Sequence, residues 1–170
     1  MTGNGNSSLI RRLDETGIPL LLVRLVLGGL FVWMGSNKIG HPIDFLKEIR
    51  EYHALPESPA VFLNTAAIVL PWLEVVAGVA LIVGVFVRGA SAIFTVMLAV
   101  FTPAILIRGL QIRAEQGTPF FEIAFDCGCG AGVVVTWKKL LENSGLGLLA
   151  LYGILSLSRR FCLEHWWDRR

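Results

Sequence analysis

The chain has 170 residues, is 54% hydrophobic before its 18 glycines are counted, and carries a formal net charge of only +2. That apolar share exceeds the roughly 45–50% of soluble domains, and it falls in long blocks, not in the one-sided stripes of a domain that faces water. Lysines and arginines are scattered and several flank the apolar blocks, which speaks against nucleic acid as a partner and leaves the lipid bilayer as the expected solvent.

In chain order, residues 1–17 form a polar tail. It lacks the small-residue exit of a cleavable signal, so the apolar run behind it reads as an uncleaved span. Four blocks can be set against the ~20 residues that cross a hydrocarbon core as a helix. They are residues 18–35, interrupted by Arg24; residues 60–87, with Pro71 and the lone ionisable Glu74; residues 89–107, uncharged; and residues 140–158, which reach spanning length by taking Glu142 into the interface. The expected fold class is all-α, a polytopic membrane four-helix bundle over residues 18–158 with a second tail at residues 159–170.

Two long connections separate these blocks. In residues 44–53, Phe45, Leu46, Ile49 and Tyr52 recur at helical spacing beside Lys47, Glu48, Arg50 and Glu51, the pattern of an amphipathic helix on a membrane surface. Residues 108–143 carry Pro119, three phenylalanines, the motif Asp126-Cys127-Gly128-Cys129-Gly130 and a second amphipathic stretch at residues 137–141. Four spans put both termini on one side and both connections on the other. Positive residues are equal in number on the two sides, but those of the terminal side sit in short segments, so the termini are expected in the cytoplasm and the cysteine loop outside.

An extracytoplasmic cysteine pair lies where disulfides persist. Helical positions i and i+2 do not face each other, so the Cys127 and Cys129 sulfurs can meet only in a turn or extended loop, which Gly128 and Gly130 permit. A ring closed over so short a spacing is expected to be strained, and strained, exposed disulfides are the labile or catalytic ones. The alternatives are a structural crosslink, a copper or zinc site that adds Asp126 and His41 or His53, or two inert free thiols, which the surrounding glycines disfavour; no second Cys/His cluster with ligand spacing supports the metal. Lys138 and Lys139 would lower a thiol pKa if the loop folds back on them. Cys162, beyond the last block, reads as a lone cytoplasmic thiol.

Arg24 and Glu74 are charges inside spans, where they are costly and commonly paired or functional. Arg24 lies about 9 Å in from Ile18 at ~1.5 Å per residue, close enough for its long stem to snorkel to the surface. Glu74 has no such stem and is expected to find a partner, either Arg24 or Lys38, with a quinone or proton role as a further possibility. Gly28, Gly29, Gly78 and Gly84 read as close-packing positions. Trp33, Trp72 and Trp137 read as interface anchors.

The run Arg24-Leu25-Val26-Leu27-Gly28-Gly29-Leu30-Phe31 with Gly35 and Lys38 resembles the first span of the MauE/DoxX group of redox-associated membrane proteins. Residues 70–78, from Leu70-Pro71-Trp72 through Glu74 to Gly78, are similar to its second span. Arg108-Gly109 and the Asp126–Gly130 motif resemble the MauE branch, except that Gly130 follows Cys129 where the family usually has an aromatic residue first. The resemblance implies a four-helix bundle in the bacterial cytoplasmic membrane, acting beside extracytoplasmic thiol chemistry. MauE-like members are associated with maturation of methylamine dehydrogenase beside a thioredoxin-like partner, DoxX-like members with sulfur oxidation and oxidative stress. Two functions follow: a thiol-disulfide relay through Cys127 and Cys129, supported by Arg24, Lys38, Glu74 and Asp126 and passing electrons to a protein or a quinone; or a non-catalytic assembly subunit whose cysteine pair is structural.

Overall fold

The computed structural model describes residues 16–52, 61–126, 132–156 and 162. The chain is mostly helical, and three of its helices are long and apolar enough to cross a membrane: α1 (Ile18–Gly40), α3 (Val61–Val83) and α4 (Val87–Gln116). Between the first two lies the short α2 (Pro42–Glu51), and the last helix among the described residues is α5 (Thr136–Leu155). The chain turns from α1 into α2 at His41, where Pro42 takes the first position of the new helix, a place at which its missing N–H costs nothing.

Helices α1 and α3 form the closest pair, and glycines explain the closeness. A Cβ on Gly28 would come within 2.7 Å of the Gly78 carbonyl oxygen, and one on Gly35 within 2.8 Å of the Pro71 carbonyl oxygen. Small residues of this kind let membrane helices pack backbone to backbone. Gly29 differs: nothing lies within 4 Å of where its Cβ would be. Helix α4 packs against α5 and α3, and α1 touches α5. Phe31 of α1 and Phe94 of α4 stack at 3.9 Å in the core so formed. The apolar side chains that face away from this core, among them Leu25, Val76, Val96 and Leu148, are exposed. Trp72 is exposed at the middle of α3, not at an end where an interface anchor would sit.

Three departures from the sequence pattern have local causes. The apolar block at residues 60–87 is one run in hydropathy but ends as a helix at Val83, because Gly84 adopts φ +84° and Phe86 φ +54°, turning the chain straight into α4. Helix α4 runs on past Ile107 to Gln116, since Gly109 and Ile112 keep a buried face while charged residues take the other; Gly117, in the left-handed region, closes it. Helix α5 begins at Thr136, so residues 137–141 are its first turns and not a separate surface stretch.

The long connection also holds a feature outside the all-α expectation. A single 3-10 turn (Phe120–Glu122) leads into β1 (Ala124–Asp126), which pairs antiparallel with β2 (Val133–Val135) in the register Ala124↔Val135, Phe125↔Val134 and Asp126↔Val133. Two strands alone are marginal; here they are tied to helices. The Thr136 backbone N–H and hydroxyl both donate to the Ile123 carbonyl, at 2.9 and 3.0 Å. Gly109 of α4 makes room for this corner, since a Cβ there would meet the Thr136 methyl at 2.8 Å. Phe125 and Val134 pack against Ile105, as do Met34, Tyr52 and Leu140.

Candidate functional site

Cys127 and Cys129 lie outside the described residues, as does His53; the two ends of their loop do not. Asp126, bonded directly to Cys127, is held opposite Val133 by the strand pairing. The edge of Phe125 meets the face of Tyr52, ring centroids 6.2 Å apart, fastening the hairpin to the end of α2. His41 caps the junction of α1 and α2. Among the described residues no group of three His, Cys, Asp or Glu side chains is placed to hold a metal ion.

The partner of Glu74 is Lys38. The ammonium donates to Glu74 Oε1 at 2.5 Å, and the two side chains are 5% and 1% exposed. Lys38 also lies over the rings of Phe45 and Phe101, 4.8 and 5.9 Å from their centroids, which adds cation–π attraction to the ion pair. Gly35, one turn earlier on α1, lets the backbone come close enough for the pair to form: its Cβ would collide with the Glu74 Cβ at 2.9 Å.

Arg24 is buried and does not snorkel. It is 2% exposed and donates from Nε to the Leu81 carbonyl at 2.8 Å and from Nη2 to the Ile82 carbonyl at 3.0 Å. These carbonyls belong to the last turn of α3, which carries the negative end of the helix dipole; that of Leu81 also accepts from the Gly84 N–H at 3.1 Å. The guanidinium occupies the space beside Gly84, where a Cβ would overlap it. Cys162 is a buried thiol outside any disulfide, in the same core cluster as Leu20 and Leu27, and its Sγ accepts from Arg24 Nη1 at 3.5 Å.

The ion pair opens into a cavity of about 680 Å³ bounded by α1 to α5. Its walls are largely apolar, with Phe31, Phe45, Phe101, Ile105 and Leu146 among them. Two buried polar residues that the sequence pattern did not single out as ligands complete it. Lys139, 4% exposed, pairs with Glu142 at 3.2 Å, and Asn143 is 5% exposed. Lys138 turns the other way and lies over the Trp137 ring at 5.8 Å. Tyr52, which holds the hairpin, lines the same cavity. The spacing of Lys139, Asn143 and Leu146 along one face of α5 was the available signal for this inward stripe.

Helices of this length and polarity, a buried ion pair and lipid-facing apolar surfaces define a multi-pass membrane protein. A family model described as "Methylamine utilisation protein MauE" matches residues 16–156. The chain is 30% identical over 138 residues to the methylamine utilization protein MauE of Paracoccus denitrificans, covering 78% of this chain and 68% of that one. It is also 30% identical over 145 residues to that of Methylorubrum extorquens, with 84% and 72% covered. The chain belongs to the MauE family. No solved structure matches it.

Proposed function

We propose that this chain is the membrane component of an extracytoplasmic thiol-disulfide relay that serves the maturation or redox partnering of another protein in methylamine utilisation. The relatives' names supply the pathway. The observation that carries the relay is the hairpin: Asp126↔Val133 pins both ends of the segment that holds Cys127 and Cys129. In the exchange, a thiolate of the pair attacks one sulfur of a partner disulfide, the partner's S–S bond breaks and a mixed disulfide forms. The second cysteine of the pair then displaces the partner's thiolate, so the pair ends oxidised and the partner reduced, or the reverse. Two electrons and two protons move in either direction.

In this reading α5 is the fourth span of a four-helix bundle. Its exposed Leu141, Leu148, Leu151 and Leu155 would face lipid, while Lys139 is turned inward and Lys138 and Glu142 sit near the end that joins the hairpin. Helix α2 lies on the outer surface through buried Phe45 and Ile49, the termini are cytoplasmic, and the membrane is the bacterial cytoplasmic one. A thioredoxin-like protein is the expected partner.

The test is Cys127→Ser/Cys129→Ser, brought to wild-type amounts in the membrane. The double variant should abolish partner maturation, and the single variant that keeps the attacking cysteine should accumulate a mixed disulfide visible on non-reducing gels. Maturation at the wild-type level in the double variant would overturn the relay and favour a non-catalytic assembly subunit.

A further inference from the structure

The buried polar groups of the cavity are more than packing requires. Lys38, Glu74, Lys139 and Asn143 are all buried at its wall, and among the described residues the Asn143 amide makes no side-chain hydrogen bond. Asn143 lines the cavity, so its amide is available to a molecule that enters it. A volume of about 680 Å³ falls within the ~300–1,000 Å³ of small-molecule sites.

Three features define that ligand. First, its route: Val61, Phe62 and Val69 of α3 and Val96 and Val100 of α4 line the cavity and are also exposed on the outer face. The opening therefore lies between two helices apolar enough to face lipid, and an apolar molecule enters from the bilayer. Second, its polarity: the buried groups that offer hydrogens are two ammoniums and an amide, with the Thr65 and Tyr52 hydroxyls also on the wall, so the ligand presents oxygen acceptors. Third, its charge: Lys38 is neutralised by Glu74 and Lys139 by Glu142. A fatty acid or lipid phosphate would meet these carboxylates unfavourably, whereas a neutral carbonyl would not. The rings of Phe31, Phe45 and Phe101 suit a flat head group.

We propose that the cavity binds the ring of a lipid-soluble quinone, one carbonyl accepting from Lys38 and the other from Asn143 or Lys139, with the tail leaving between α3 and α4. Binding stands on the cavity alone. Electron transfer to the quinone rests on the relay reading: the dithiol loses two S–H bonds and forms one S–S bond, and the two electrons and two protons convert the two quinone carbonyls to hydroxyls. Tyr52 joins the two places, touching Phe125 of the hairpin and the cavity at once.

The experiment uses the full chain in lipid nanodiscs and decylubiquinone as the probe, titrated by calorimetry with no thiol donor present. Saturable binding of one equivalent is expected. At least one of Asn143→Leu, which keeps the side-chain volume, and Lys139→Met should bind about tenfold more weakly, the loss of one hydrogen bond. Decanoate should fail to displace the probe. The absence of saturable binding, unchanged affinity in both variants, or displacement by decanoate as by unlabelled quinone would overturn the site. Reduction is read separately, as loss of the quinone's ultraviolet absorbance when the cysteine pair is first reduced and excess reductant removed. Binding without reduction would sink the relay as electron donor and leave the site standing.

Discussion

Removing one member of the Lys38–Glu74 pair should destabilise the protein far more than removing both. In Lys38→Met the Glu74 carboxylate, 1% exposed, loses the Lys38 ammonium, and in Glu74→Met the Lys38 ammonium loses the carboxylate. Breaking a buried pair in this way costs about 3–5 kcal/mol, and a tenfold change in equilibrium is ~1.4 kcal/mol. Each single variant should therefore shift the folding equilibrium by roughly two to three and a half orders of magnitude. The double variant replaces the pair by apolar side chains of similar volume, a change that is commonly near neutral. The assay is unfolding in mixed micelles of rising SDS fraction, followed by tryptophan fluorescence, on all four proteins. Stability of the double variant well above the sum of the single losses confirms the coupling. Singles within ~0.5 kcal/mol of wild type, or strictly additive losses, would refute it.

Gly28→Ala should lower stability by about 1–3 kcal/mol through overpacking at the α1–α3 contact, while Gly29→Ala, with open space at its Cβ, should be neutral or slightly stabilising; thermal unfolding in detergent compares them. Arg24→Met removes the donors to the Leu81 and Ile82 carbonyls and the neighbour of Cys162. Alkylation of Cys162 by a membrane-permeant maleimide should speed up in that variant, and an unchanged rate would contradict the described packing. Gly84→Ala, strained at φ +84° and overlapping the Arg24 guanidinium, should speed the same alkylation.

What the sequence made legible was set by what hydropathy can report. It marks where lipid-compatible chain begins and ends, so the cores of α1, α3 and α4 were readable, while the turn at Gly84 was hidden because Val85, Phe86 and Val87 are as apolar as the helices beside them. The same limit hid the last turns of α4, which stay helical after the chain has become polar. Lys38 was one of two partners proposed for Glu74, since both stand at charged breaks in apolar runs. The partners of Arg24 are backbone carbonyls, and carbonyls leave no mark in a sequence. The cavity was illegible for a related reason: its wall is assembled from five helices, and Lys139 and Asn143 look like surface residues of a charged helix start until α5 is seen against α1 and α4. The strand pairing at Asp126 was missed because three-residue strands are too short for an alternating pattern to declare itself.

The central claim, that Cys127 and Cys129 cycle between dithiol and disulfide, is tested most directly by trapping their redox state in native membranes. Membranes are treated either with a dithiol donor or with a short-chain quinone, quenched in acid, and alkylated before and after reduction with reagents of different mass, so that mass spectrometry gives the oxidised fraction of the pair. The account predicts a pair largely reduced after the donor and largely oxidised after the quinone. A pair found in the same state under both treatments would contradict it.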